Sequence, residues 1–174
     1  NIGAYTYNNL TTSNSGTKTL NANISVTNRL SIEGTTVLVP NAANRINDAS
    51  PINLNGGTFR SGATTGFSDT VGVLTLSENS NIILGTGNHT LTFGNSNAAS
   101  WTTNKTLTIT GWVGGYNGTA ASGTNPKLFV GSTNTALTNS QLNQIQFFDG
   151  STNFPAILLS TGELVPIQTR VGDF

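Results

Sequence analysis

No cysteine occurs among the 174 residues, and no methionine, not even at position 1. Without thiols there is no disulfide framework and no thiolate chemistry. Histidine occurs once, at His89, and a common zinc site takes three or four ligands, so one His without Cys does not build it. Charge is also scarce. Lys, Arg, Asp and Glu together make 8% of the chain, with a net charge of zero, against roughly 25% in an ordinary soluble domain. The basic residues Lys18, Arg29, Arg45, Arg60, Lys105, Lys127 and Arg170 are scattered. That removes the clustered charge needed to attract nucleic acid or an anionic membrane. No apolar run approaches the ~20 residues of a membrane-spanning helix. The missing Met is what a processed or excised segment would show, with any signal peptide already removed.

What the chain has instead is uncharged polarity. Asn, Thr, Ser and Gly account for just over half of it, 89 residues of 174. Disordered chains combine polarity with high net charge and few β-branched residues. Here the net charge is zero and Thr, Val and Ile are plentiful, which reads as an ordered all-β chain. A Cys-free, Lys-poor composition of this kind is expected of a bacterial secreted or cell-surface protein.

Short alternating runs recur throughout, among them Tyr5–Thr12, Thr17–Leu20, Ile24–Val26, Arg29–Glu33, Thr36–Val39, Val73–Ser77, Thr90–Phe93 and Thr106–Thr110. Anchor residues Leu10, Leu20, Leu30 and Leu38 follow one another at spacings of 10, 10 and 8. Turn-forming phrases (SNSG, NGG, ENSN, GNSN) fill the gaps. Strands at this spacing suit an antiparallel β-sandwich and equally a β-solenoid. The solenoid is the better reading, because the strands are very short, their phrases resemble one another, and low charge lets like residues stack. Side chains alternate along a strand. The core is therefore predicted to hold Leu74, Leu76, Ile82, Leu84, Leu91, Phe93, Leu107 and Ile109, with Thr75, Thr90, Thr92, Thr106, Thr108 and Thr110 outside. Residues 1–113 read as solenoid coils and 114–174 as a C-terminal capping region of the same domain. In that region Thr138–Gln144 reads as one short helix, with Thr138 and Gln141 spaced as a capping box. Phe129, Phe147, Phe148 and Phe154 suit the closing of an open core.

The phrases LTLSENSNIILGTGNHTLTFGNS, TLTITGW, KLFVG, LTNSQLNQIQF and AILLSTGELVP follow in this order. The order resembles the C-terminal end of bacterial surface proteins with autotransporter-associated β-strand repeats. Such ends occur in Bacteroidetes proteins exported by type IX secretion and in proteins with PEP-CTERM-type anchors. The resemblance is closest over residues 74–166. It implies a right-handed parallel β-helix outside the cell or on its surface, in a group of proteins mostly without known catalysis.

A search for chemistry finds little. Glu33, Asp48, Asp69, Glu78, Asp149, Glu163 and Asp173 are widely spread, whereas glycosidases need two facing carboxylates. A Ser–His pair needs an orienting carboxylate, and none lies near His89 in sequence. Catalytic, cofactor and metal residues are thus predicted to be absent. Trp101, Trp112 and Tyr116 are candidates for stacking on sugar rings, with packing beneath the Gly114–Pro126 loop as the competing role.

Three functions remain open. In the first, the chain is a non-catalytic structural element that associates with other copies of itself into a surface layer or filament. The candidate contact is the segment of Ala4, Tyr5, Thr6, Tyr7, Asn8, Asn9 and Leu10, which carries neither charge nor Pro to protect a strand edge. In the second it is an adhesin for extracellular polysaccharide. In the third, outward Thr rows bind ice, but T-x-T recurs clearly only at Thr90/Thr92 and Thr106/Thr108. No nucleic-acid partner and no membrane insertion are expected.

Overall fold

The computed structural model describes residues 4–121, 123 and 125–168. Arg170 and Asp173 lie outside them. Strands come in pairs along the chain: β1 (Thr6–Thr12) with β2 (Ser15–Leu20), β3 (Ser25–Glu33) with β4 (Thr35–Pro40), and β5 (Ile52–Asn55) with β6 (Thr58–Arg60). Next come β7 (Asp69–Glu78) with β8 (Ser80–Ile83) and β9 (Thr90–Gly94) with β10 (Leu107–Thr110). Then follow β11 (Lys127–Val130), helix α1 (Asn139–Leu142), β12 (Ile145–Phe148), β13 (Asn153–Leu158) and β14 (Leu164–Pro166). Odd strands stack in one sheet, β1-β3-β5-β7-β9-β11, and even strands in the other, which runs β2-β4-β6-β8-β10-β12 and ends in β13 and β14. All pairings through β12 are parallel. The chain is a β-solenoid, and the antiparallel sandwich is ruled out for the stack.

The register explains the anchor spacing. Leu10 pairs with Leu30, Leu30 with Ile52 and Ile52 with Leu74, steps of 20, 22 and 22 residues. Leu20 and Leu38 belong to the other sheet, so the 10-residue spacing in the sequence is half a turn. On the even sheet Leu38, Phe59, Ile82, Ile109 and Phe147 form one buried column. All eight core residues predicted for the region from 74 to 109 are buried, and the six threonines between them are half-exposed. Between paired strands the chain turns through left-handed residues stacked on one another, Asn14 (φ 71°), Gly34 (φ 61°) and Gly56 (φ 95°). A Cβ on Gly56 would come 3.2 Å from the Gly34 nitrogen, so this corner needs both the positive φ and the missing side chain.

Several boundaries differ from the sequence reading. Ile24–Val26 and Arg29–Glu33 are not two strands: Ser25–Glu33 is the single strand β3. The helix is shorter, Asn139–Leu142, but Thr138 caps it with the reciprocal Gln141 bond of a capping box. Parallel stacking continues past residue 113 into β11 and β12, and antiparallel pairing starts at β13.

The two ends of the stack differ. At the C-terminal end β13 and β14 fold back antiparallel, and the Gly162 carbonyl accepts the Val130 N–H of β11 at 2.9 Å. At the other end β1 and β2 are the outermost strands. There two of the core columns finish in polar residues. Thr12 aligns with Ile32, and Lys18 aligns with Leu38, its ammonium donating to the Ser15 carbonyl at 3.1 Å.

Leu91 is fully buried and Thr92 is half-exposed. Leu91→Asp is expected to unfold the chain, since an uncompensated buried charge costs about 3–5 kcal/mol. Thr92→Asp is expected to cost about 1 kcal/mol or less. Denaturant titration of both variants checks this, and equal effects would mean that the two side chains do not face opposite ways.

Candidate functional site

Where the chain turns a corner of the solenoid, between strands or within the long β3 and β7, some backbone N–H groups leave the ladders and need other acceptors. Buried side-chain oxygens from the next turn supply them. Ser50 Oγ accepts the Val26 N–H at 2.9 Å, Ser80 Oγ the Gly56 N–H at 2.9 Å, and Ser96 Oγ the Leu74 N–H at 2.9 Å. Two corners use groups with richer chemistry, and these are the natural places to look for a site.

The first is Ser61 with His89, 1% and 2% exposed. Ser61 Oγ lies 2.8 Å from His89 Nε2, and His89 Nδ1 lies 3.0 Å from the Gly87 carbonyl. A carbonyl only accepts, so Nδ1 carries the hydrogen and Nε2 accepts from the serine hydroxyl. This is the Ser–His half of a hydrolytic triad. Its third position, however, is a backbone carbonyl instead of a carboxylate. The serine oxygen is also already engaged, accepting the Gly85 N–H at 2.8 Å. The pair therefore joins two stretches of chain, at Ser61 and from Gly85 to His89, and leaves no reactive oxygen facing a substrate. Burial lowers the pKa of His89.

The second is Asp69, 2% exposed. Its Oδ2 accepts the N–H groups of Arg45 (3.0 Å) and Ile46 (3.2 Å), while Oδ1 is buried without a partner. Burial raises its pKa from 3.8 to about 6, against the two backbone bonds that lower it; the charge of Asp48 raises it further.

The three aromatic candidates are spent on packing. Trp112 is 6% exposed and meets Phe147 edge-on, with ring centroids 5.5 Å apart. It has no free face for a sugar. Trp101 is half-buried, and its Nε1 donates to the Leu74 carbonyl at 3.0 Å. It belongs to the segment after β9 that covers the edge of β7, where Thr102 N also bonds the Leu76 carbonyl at 2.8 Å. Two glutamines fasten that segment from above. Gln141 Nε2 donates to Ser96 and Ala99, and Gln144 Nε2 to Thr102 and Lys105. Tyr116 leans on Phe154 at 4.4 Å. Of the N-terminal candidates, Tyr7 and Leu10 pack against the core, and Ala4, Thr6, Asn8 and Asn9 are exposed. Among the described residues Tyr5 is the most exposed large ring, at 68%. Sequence reasoning missed Ser61 and Asp69, because their partners lie 28 and 23–24 residues away.

Opposite pH dependences follow. Asp69 holds its proton more tightly in the fold, so its contribution to stability is full below the ordinary carboxylate range and is lost as pH rises through about 6. His89 is held neutral, so its contribution is full above 6.5 and is lost as pH falls below that value. The two offset each other between pH 4 and 6.5. Asp69→Asn leaves the histidine alone, and thermal melts of this variant are expected to show a steeper loss of stability from pH 7 to pH 5 than wild type. A parallel pair of curves would refute the assignment.

No family model, curated protein or solved structure matches this chain.

Proposed function

We propose that the chain is a non-catalytic structural element of an extracellular or cell-surface protein, and that copies of it join through the outer edge of β1. One observation carries this reading: β1 is a seven-residue strand at the end of its sheet, paired on one side by β3, with neither charge nor Pro along it. Such an edge can take another strand through main-chain hydrogen bonds. The neighbouring edge is protected. Stacking a chain on β2 would enclose the Lys18 ammonium at the end of a core column, a cost of several kcal/mol. Among the described residues the far end offers no open counterpart, because β13, β14 and the Gly162 turn lie across β11, and the Asn117–Gly118 stretch bonds the outer side of β14. A head-to-tail filament lacks its second edge. The contact that fits is β1 against β1 about a two-fold axis, which closes as a pair. A surface layer then requires a further contact between pairs. The composition supports a role of this type, since uncharged Asn and Thr stack from turn to turn, as in Asn28 Nδ2 to Asn9 Oδ1 at 2.8 Å and Asn41 Nδ2 to Asn21 Oδ1 at 2.9 Å.

Sedimentation over a wide concentration range tests the reading, with one lysine placed at each end. Thr11 is exposed on β1, and Thr161 is exposed in the turn between β13 and β14. The wild type is expected to form dimers, Thr11→Lys to be monomeric, and Thr161→Lys to match wild type. A chain that stays monomeric throughout defeats the proposal. Open-ended oligomers abolished by Thr161→Lys would restore the head-to-tail filament.

A further inference from the structure

A groove of about 420 Å³ lies on the flank of the solenoid near its N-terminal end. It is lined by the same corner of three successive turns: the residues leading into β1, those leading into β3, and the loop ahead of β5. Its floor is apolar, made by Ile24 and Ile46, which bridge in parallel. Its rim is aromatic and polar, with Tyr5, Asn23, Asn44, Asn47 and Asp48.

The rim is pre-organised. Tyr7 meets the Tyr5 ring edge-on, with centroids 6.1 Å apart, while Tyr5 stays 68% exposed. Arg45 ties the turns together, donating from Nε to Asn41 Oδ1 and from Nη1 to Asn23 Oδ1, both at 2.9 Å. Asn44 adopts a left-handed backbone (φ 53°), held by its N–H on the Ser68 carbonyl at 3.1 Å. Asp69, buried beneath the loop, fixes the N–H groups of Arg45 and Ile46. A left-handed Asn and a buried carboxylate are both costly features, and both support this one loop. Among the described residues, the side chains of Asn44 and Asp48 have no hydrogen-bond partner in the protein, so they are available to a ligand.

We propose that this groove binds a neutral glycan, with Tyr5 stacked on a sugar face and Asn44 and Asp48 bonding its hydroxyls. An exposed flat ring beside a few fixed amide and carboxylate groups matches a pyranose, which has an apolar face and a polar equator. The alternatives fit less well. Asp48 repels phosphate, sulfate and uronate groups, and the guanidinium of Arg45, the one cation at this corner among the described residues, is already engaged by two asparagines. The site does not depend on pairing through β1, because its lining spans three successive turns and not the outer edge of β1 alone.

The test is an amide-resonance titration of the ¹⁵N-labelled protein with cellohexaose, mannohexaose and xylohexaose, and with hexaguluronate as the charged comparison. At least one neutral probe is expected to shift the resonances of Tyr5, Asn23 and Asn44–Asp48 saturably, and hexaguluronate is not. Tyr5→Ala is expected to weaken binding by about tenfold. Asn44→Gly keeps the left-handed backbone accessible while removing the amide, and is expected to weaken binding severalfold. Trp101→Phe is expected to leave it unchanged. The spectrum of each variant reports directly whether the fold is kept. The proposal is overturned if no neutral probe binds, if the shifts gather around Trp101 and Tyr116, if Tyr5→Ala binds as well as wild type, or if hexaguluronate binds equally.

Discussion

Everything in this fold depends on satisfying the backbone where it turns a corner. Within the sheets each turn hydrogen-bonds to the next, but at the corners N–H groups leave the ladders and enter a buried environment. Leaving one such group unpaired costs about 1–3 kcal/mol. The chain meets the requirement with small side-chain oxygens from the adjacent turn: Ser50, Ser61, Ser80 and Ser96 on the N–H groups of Val26, Gly85, Gly56 and Leu74. Each partner lies 22 or 24 residues away, about one turn of the solenoid. The composition follows from this geometry. Serine fits at a corner because it accepts one bond and donates another, as Ser96 does to the Gly94 carbonyl at 2.8 Å. A column of repeated charges would repel itself, and only one ion pair occurs among the described residues, Lys105 with Glu78 at 2.6 Å.

The same requirement accounts for the groups that look reactive. Ser61 and His89 have the contact of a catalytic pair, yet each atom is committed to holding neighbouring turns. Glu163, buried in the cap, accepts the Ala121 N–H at 2.8 Å. Asp69 does comparable work at greater cost, because a carboxylate bonded only to neutral N–H groups gains less than one facing a cation. Its position under the Asn44–Asp48 loop ties that cost to the groove beside Tyr5.

The interior is continuous and the ends are not equivalent. One large apolar column runs from Leu38 to Phe147 on the even sheet and another through Leu30, Ile52 and Leu74 on the odd sheet, and the two ends of the stack are finished by different means. At one end they meet an antiparallel fold-back and an aromatic contact between Trp112 and Phe147. At the other they meet Thr12 and Lys18, with Tyr7 and Leu10 covering the rest. A lysine in line with Leu38 spreads its alkyl stem over the core and keeps its charge at the surface. Among the described residues, that leaves β1 as a terminal strand paired on one side only.

Much was legible from the sequence because it is local. Alternation places Leu91 inside and Thr92 outside whatever strand they pair with, and Thr138 with Gln141 announces a helix start within four residues. Low charge and repeated short phrases pointed to stacked turns. The sequence did not reveal which strands are neighbours: Leu10 packs beside Leu30 and not Leu20, since successive strands belong to different sheets. Nor did it show that Ser61 meets His89, that Trp112 is enclosed, or that Tyr5 stands beside Asn44 and Asp48. Those contacts form between turns, and turn length is not constant. Partners are 20 residues apart at Leu10–Leu30 and 37 apart at Leu91–Leu128, where inserted segments lengthen the path. A strand's own alternation is fixed by the geometry of one peptide after the next. Its neighbour is fixed only when the whole stack closes around a shared core, and that closure placed the groups on the surface.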